Sequence, residues 1–225
     1  MTRVLAISDE VANALYTDHL NRLRPDLVIA CGDLPFDYLE YIVTMSSKPL
    51  VYVPGNHDPN LRAPRPEEHV AVYVQPFSLG RYEGNQPGPM GCVNVDGRVT
   101  EAAGLRIAGL GGCMLYNHGP NQYSEAQMKR RALALELRTR AKTKPAPSGR
   151  KLDILVTHAP LRGVGDRDDL PHKGFSSFHR LVGALSPTLV VHGHIHPYGV
   201  EIPDKRVGNT DIVNAVGHRL LEIDA

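Results

Sequence analysis

Cysteine is scarce in this sequence: Cys31, Cys92 and Cys113 are the three among 225 residues. An odd count without paired spacing argues against a disulfide framework, so free thiols in a reducing cytoplasm are expected. No apolar run approaches the roughly 18 residues of a membrane span. The N-terminal MTRVLAISDE leads straight into a strand-like segment, without the apolar core and small-residue cleavage site of a signal peptide. A soluble, cytoplasmic chain with no membrane partner is therefore expected. Excess charge of either sign is also lacking. The net charge is +1, which does not advertise a polyanionic partner for the molecule as a whole. No compositional break, internal repeat or low-complexity tract divides the chain, so residues 1–225 are read as one domain.

What is present is apolar content of 42%, enough for a sizeable core, and 11 histidines, several of them clustered in the last third. That clustering raises the expectation of a metal site. Val4 to Ser8, Asp26 to Ala30 and Leu50 to Val53 are short apolar runs read as strands. A helix-like stretch carrying Leu15, Leu20 and Leu23 and a helix from Phe36 to Met45 separate them. This β–α–β–α–β alternation predicts parallel strands with crossover helices. Residues 59–91 are rich in proline and glycine and read as a long surface excursion. Asp96-Gly97, within Val93 to Thr100, predicts a hairpin, and Leu105 to Leu110 another strand. Ser124 with Gln127 three residues on predicts a capped helix running to about Arg140. A polar loop, KTKPAPSGRK, follows. Leu152 to Thr157 and Thr188 to Val191 are further strands, and short strands with turns at Pro203-Asp204 and Gly217 continue to Ile223.

Five of these strands exit into residues able to bind a metal: Ser8-Asp9, Gly32-Asp33, Gly55-Asn56-His57-Asp58, Thr157-His158 and Gly193-His194-Ile195-His196. Ligands of open α/β sheets bind beyond the carboxyl ends of the strands, so these groups are predicted to converge on one rim. Taken alone, each has an ordinary explanation. An aspartate after a strand is usually a turn or cap residue, Gly-Asn is usually a turn, and a lone histidine is usually a satisfied surface or core residue. Recurrence at successive strand ends is what points to a shared site. His194 and His196, two apart, would face one side of an extended chain. A mixed oxygen and nitrogen donor set suits Mn, Fe, Zn or similar divalent ions. One carboxylate bridging two ions about 3.5–4 Å apart would clamp an in-line displacement at phosphorus. The glycines before Asp33, Asn56 and His194 let the backbone turn sharply there.

In this order the motifs resemble the calcineurin-like metallophosphoesterase family, and the resemblance covers nearly the whole chain. It implies an α/β fold, a four-layer α/β/β/α sandwich with two mixed β-sheets. It also implies two divalent metal ions at a binuclear site. Asp33 would bridge both, Asp9 and His196 would hold the first, and Asn56, His158 and His194 the second. His57 would be the catalytic acid beside the scissile phosphate. The implied reaction is hydrolysis of a small phosphoester, either a phosphodiester or a phosphomonoester, by a metal-activated water.

One position departs from the family pattern. The usual Asp-x-His of the first motif is here Asp9-Glu10-Val11. In a strand Glu10 would point to the face opposite Asp9, so it is not expected to fill the gap; Asp37 or solvent would. Such a change also fits a weakened member of the fold acting as a protein-interaction scaffold, although a scaffold has no need of the remaining ligands or His57. A nuclease-like reading rests on the segment 129–151. There Lys129, Arg130, Arg131, Arg138, Arg140, Lys142, Lys144, Arg150 and Lys151 are opposed only by Glu136 and could track a phosphate backbone. A solvated helix face explains the same density, and the segment has no aromatic residue on which bases could stack, so nucleic acid is not the favoured partner. Pocket shape is expected from loops 59–91, 112–123 and 162–176. Because the segment Arg162 to Phe178 follows His158 so closely, His172 or Lys173 is predicted to face the substrate pocket.

Overall fold

Along the first strand, β1 (Thr2–Ser8), side chains alternate between two apolar layers, Val4 and Ala6 on one face and Leu5 and Ile7 on the other. That period of two recurs throughout the computed structural model, which describes residues 1–61, 88–144, 150–200 and 202–224. After β1 come a short 3-10 turn (Asn13–Tyr16), α1 (His19–Leu23), β2 (Leu27–Ala30), α2 (Phe36–Ser46) and β3 (Leu50–Tyr52). Next are β4 (Cys92–Asn94), β5 (Val99–Ala102), β6 (Leu105–Leu110), β7 (Cys113–Met114), β8 (Gln122–Tyr123) and α3 (Glu125–Lys142). The chain continues through β9 (Ile154–Thr157), α4 (Ser177–Leu185), β10 (Leu189–His192), β11 (Lys205–Val207), β12 (Thr210–Asn214) and β13 (Gly217–Ile223).

The strands form a five-stranded sheet, β13-β1-β2-β3-β4, a six-stranded sheet, β11-β12-β10-β9-β6-β5, and a small β7-β8 pair. Both large sheets are mixed: β1, β2, β3 and β4 run parallel with β13 antiparallel, and β12, β10, β9 and β6 run parallel between antiparallel β11 and β5. Three apolar layers order them. One holds Val4, Ile29 and Val51 from the first sheet against Ile107, Val156 and Val191 from the second. Another packs Leu5, Val28 and Leu50 against Leu20, Leu39 and Ile42 of α1 and α2. The third packs Leu110, Leu155 and Val190 against Met128, Leu135, Phe178 and Leu181 of α3 and α4. Helices, sheet, sheet, helices: the four-layer α/β/β/α sandwich follows from which residues share a core. Among the described residues no helix is long and apolar enough to cross a membrane.

Two local expectations are corrected. Asp96-Gly97 does not close a hairpin: β4 before it belongs to the first sheet and β5 after it to the second. The Asp96 carboxylate accepts from the Gly111 N–H at 2.8 Å and pairs with Arg131, so it fastens a crossing between the sheets. The hairpin lies next along the chain, between β5 and β6, where Ala103 and Gly104 have φ of 50° and 76°, the double left-handed turn that suits strand twist. The stretch around Leu15 to Leu23 is not one helix but a 3-10 turn followed by five residues of α1. The predicted capping box is present, since Ser124 Oγ accepts from the Gln127 N–H and Gln127 Oε1 from the Ser124 N–H. Most of the predicted 59–91 excursion lies outside the described residues.

Candidate metal centre

The parallel strands β1, β2 and β3 of one sheet and β9 and β10 of the other end at the same rim, and their exits are sewn together. The Asp9 N–H donates to the Gly32 carbonyl (3.1 Å) and the Gly193 N–H to the His158 carbonyl (3.0 Å). Two bonds cross between the sheets: the His194 N–H to Asp9 Oδ2 (2.8 Å) and His158 Nδ1 to the Cys31 carbonyl (2.7 Å). One potential ligand atom from each of Asp9, Asp33, His158 and His194 lies within 4.8 Å of the others. Asn56 joins them, its Oδ1 3.0 Å from His158 Nε2, and His196 Nε2 stands 3.8 Å from Asp9 Oδ1.

Asp9, Asp33 and His194 have φ of 59°, 57° and 68°. Left-handed backbone is uncommon for residues with a Cβ, and strain of this kind gathers at functional sites. It also corrects an expectation: His194 breaks the extended path, so His194 and His196 do not reach the cluster as alternate residues of a strand.

The electrostatics fit a cation site. Burial would raise the Asp33 carboxyl, but the neighbouring His158 imidazolium and the His57 N–H outweigh it and bring it to about 2. Burial would depress His158, and the Asp33 carboxylate overrides it, pushing the imidazole up to about 9. His194 goes the other way, to about 3, through burial and the His158 charge 4.7 Å away between ring centroids. The opposed shifts of Asp33 and His158 favour a proton on the imidazole beside the carboxylate, where a cation would displace it. His158 Nδ1–H on the Cys31 carbonyl leaves Nε2 facing Asn56 and Asp33, the carbonyl-oriented arrangement common to metal-binding histidines.

His57 is exposed, and its backbone N–H donates to Asp33 Oδ1 at 2.8 Å. The His172 ring lies 5.2 Å from the His194 ring, with Nδ1 2.5 Å from Asp169 Oδ2, while Lys173 is held by its N–H on the Leu170 carbonyl. Asp37 is not in the cluster; it accepts from the Tyr38 N–H in the first turn of α2. Glu10 overturns the strand-face argument. β1 stops at Ser8, the left-handed Asp9 redirects the chain, and Glu10 Oε1 comes 2.8 Å from His196 Nδ1.

Three further residues of the centre were not singled out in the sequence. Asp58 Oδ2 accepts from both the Asp33 and Gly55 N–H groups (3.0 and 2.7 Å). Asn121 Nδ2 donates to the Gly55 and Asp58 carbonyls. The Tyr116 hydroxyl sits 3.4 Å from Asn56 Nδ2. Only Asp58 carries a sequence signal, its place in Gly-Asn-His-Asp. A cavity of about 360 Å³ between α3 and α4, lined by Lys129, Leu133 and Arg180 among others, shares no residue with the cluster.

Two sheets delivering carboxylates from one side and imidazoles from the other make a layout that can hold metal ions between them. The chain belongs to the calcineurin-like phosphoesterase family, whose model matches residues 3–198. One solved structure is similar with a TM-score of 0.61 at 15% identity over 99% of both chains. The crystal structure of TT1561 of Thermus thermophilus is similar with a TM-score of 0.58 at 18% identity, over 96% of this chain and 89% of that one. At such identities the likeness is one of fold. No curated protein matches this sequence closely enough to count as a relative.

Proposed function

We propose that this protein is a metal-dependent phosphoesterase acting on a small phosphoester, with Asp9, Asp33, Asn56, His158, His194 and His196 as ligands of two divalent ions. The observation that carries the reading is the convergence of Asp9, Asp33, His158 and His194 within 4.8 Å in a chain of this family. Asp33 would serve both sites, Asp9 and His196 would hold one ion, and Asn56, His158 and His194 the other. When bound, such ions supply activation of water and offset charge on the phosphoryl oxygens. The chain's own groups do the rest. Exposed His57, fixed through its backbone to Asp33, gives a proton to the leaving alkoxide. His172, which lies beside His194, or Lys173 faces the substrate. The test is a panel of phosphomonoesters and phosphodiesters offered to stripped protein reloaded with Mn²⁺, Zn²⁺ or Fe²⁺. Metal-dependent turnover of at least one ester is expected; stoichiometric metal uptake with no turnover of any would favour a scaffold.

The nuclease-like reading loses much of its basis in the side chains. Arg131 pairs with Asp96 and lies over the Tyr123 ring, Arg138 donates to the Gly97 carbonyl, Arg140 pairs with Glu136, and Arg150 donates to Thr188. The arginines of α3 are thus engaged with the protein's own groups, and Arg150 with the residue just before β10.

His57→Ala is expected to lower turnover by about 10²–10⁴-fold, the usual contribution of an acid–base group, with metal content retained. The loss should shrink for esters with good leaving groups, which need less protonation. Loss of metal in this variant would make His57 a ligand instead.

The ligand sets also predict unequal metal affinity. With Val11 in place of an imidazole, one ion has Asp9, Asp33 and His196, and the other has Asp33, Asn56, His158 and His194. A Mn²⁺ titration of stripped protein should show two separated events, the four-ligand site filling first. Val11 is exposed, two residues after Asp9, and Val11→His should tighten the weaker event. Equal affinities in the wild type would contradict the assignment.

A further inference from the structure

We propose that Glu10 is a positioning residue for the three-ligand site, its carboxylate fixing the tautomer and ring orientation of His196. The inference rests on the metal-centre reading above. Its starting point is backbone: Asp9 at φ 59° ends β1 and brings the Glu10 N–H onto the Ser8 carbonyl at 2.6 Å. That turn carries the Glu10 side chain from the strand face to the rim, where Oε1 lies 2.8 Å from His196 Nδ1. An imidazole has two nitrogens, and a proton held on Nδ1 leaves the lone pair on Nε2. Nε2 is the nitrogen 3.8 Å from Asp9 Oδ1. The His196 backbone is held independently, its carbonyl accepting from Arg167 Nη2 at 2.5 Å, so Glu10 governs the ring rather than the chain path. Among the described residues, the Glu10 side chain meets the cluster through that ring. Where Val11 leaves a site with few protein ligands, a mis-set imidazole removes a large share of the donors. The sequence change that deletes one histidine therefore stands beside the residue that keeps the other in register.

The test compares wild type, Glu10→Gln and Glu10→Ala as full chains. The first readout is made without metal: the His196 tautomer from ¹⁵N–¹H NMR at mildly alkaline pH. Wild type and Glu10→Gln, whose carboxamide oxygen still accepts, should hold the Nδ1–H form, and Glu10→Ala should lose it. The second is Mn²⁺ titration by calorimetry. Glu10→Ala should weaken the weaker event by about 10–100-fold, the usual cost of losing a group that orients a metal ligand, and leave the tighter one alone. Glu10→Gln should stay near wild type. An unchanged tautomer in Glu10→Ala overturns the proposal, as does unchanged affinity or equal weakening of both events. A Glu10→Gln variant as weak as Glu10→Ala overturns it too, because charge rather than hydrogen-bond acceptance would then be the cause. Wild type that binds no Mn²⁺ would sink the metal-centre reading itself, while the metal-free tautomer still judges Glu10.

Discussion

Asp33→Asn should disable this protein more completely than loss of any other single ligand, with metal content falling at both sites and turnover dropping beyond the roughly 10²–10⁴-fold of an acid–base group. Asp33 Oδ2 lies 3.4 Å from His158 Nε2, and Oδ1 accepts the His57 N–H at 2.8 Å. Its carboxyl is held at about 2 because His158 and the His57 N–H outweigh burial, so the charged form is favoured. Asparagine keeps the shape and removes the charge. It also turns one oxygen into an NH₂ group, so either the His57 N–H loses its acceptor or the metals meet a donor. Two cations sharing one neutral carboxamide repel each other without compensation. The measurements are metal content after reloading and initial rate on the best ester of the panel. Near-normal values for both would show that Asp33 does not bridge.

Much of this is legible in the sequence because strand ends obey a simple rule. Parallel strands carry their exit residues to one edge, so Asp9, Asp33, Asn56 and His158 can be placed from the apolar runs before them. The same period of two that marks Val4 to Ser8 as a strand also sorts its residues between two cores. What cannot be read lies where the period ends. Strand geometry puts Glu10 on the wrong face because it extends one residue too far, past a left-handed Asp9. The i, i+2 argument for His194 and His196 fails for the same reason. Asp96-Gly97 has the composition of a hairpin, but its carboxylate is committed to Gly111 and Arg131, contacts distant in sequence. Asn121 and Tyr116 reach the site from a loop with no motif of its own. Hydrogen bonds between loops leave no periodic trace, and the residues that hold ligands in place are drawn largely from that class.

A severe steric demand of the centre falls on Gly55, and Gly55→Ala should cost both stability and metal. A Cβ at this position would stand 2.0 Å from Asp33 Oδ1 and 2.7 Å from the Asp33 backbone nitrogen. The carboxylate alone could swing aside, but it would leave the His57 N–H and the cluster in doing so. The backbone nitrogen has less freedom, since its N–H and that of Gly55 share the same Asp58 oxygen. The Gly55 carbonyl is held in turn by Asn121 at 2.9 Å. Relief must therefore come from separating the two loops that carry Asp33 and Asn56, which pulls apart two of the proposed ligands. Forcing atoms into a packed site costs about 1–3 kcal/mol and sometimes more, and each kcal/mol lowers Tm by about 2–4 °C in a chain of this size. Gly183→Ala is the control. It lies in α4, where an added Cβ meets nothing within 4 Å, and replacing a helical glycine there should be neutral or stabilise by up to about 1 kcal/mol. Thermal unfolding and Mn²⁺ content are measured on both. Gly55→Ala should melt lower and retain little metal, while Gly183→Ala should match or exceed wild type in both. A Gly55→Ala protein with lowered Tm but full metal content would mean that the loops absorb the methyl group without moving Asp33, and that the close approach of the two strand exits is not what sets the ligands.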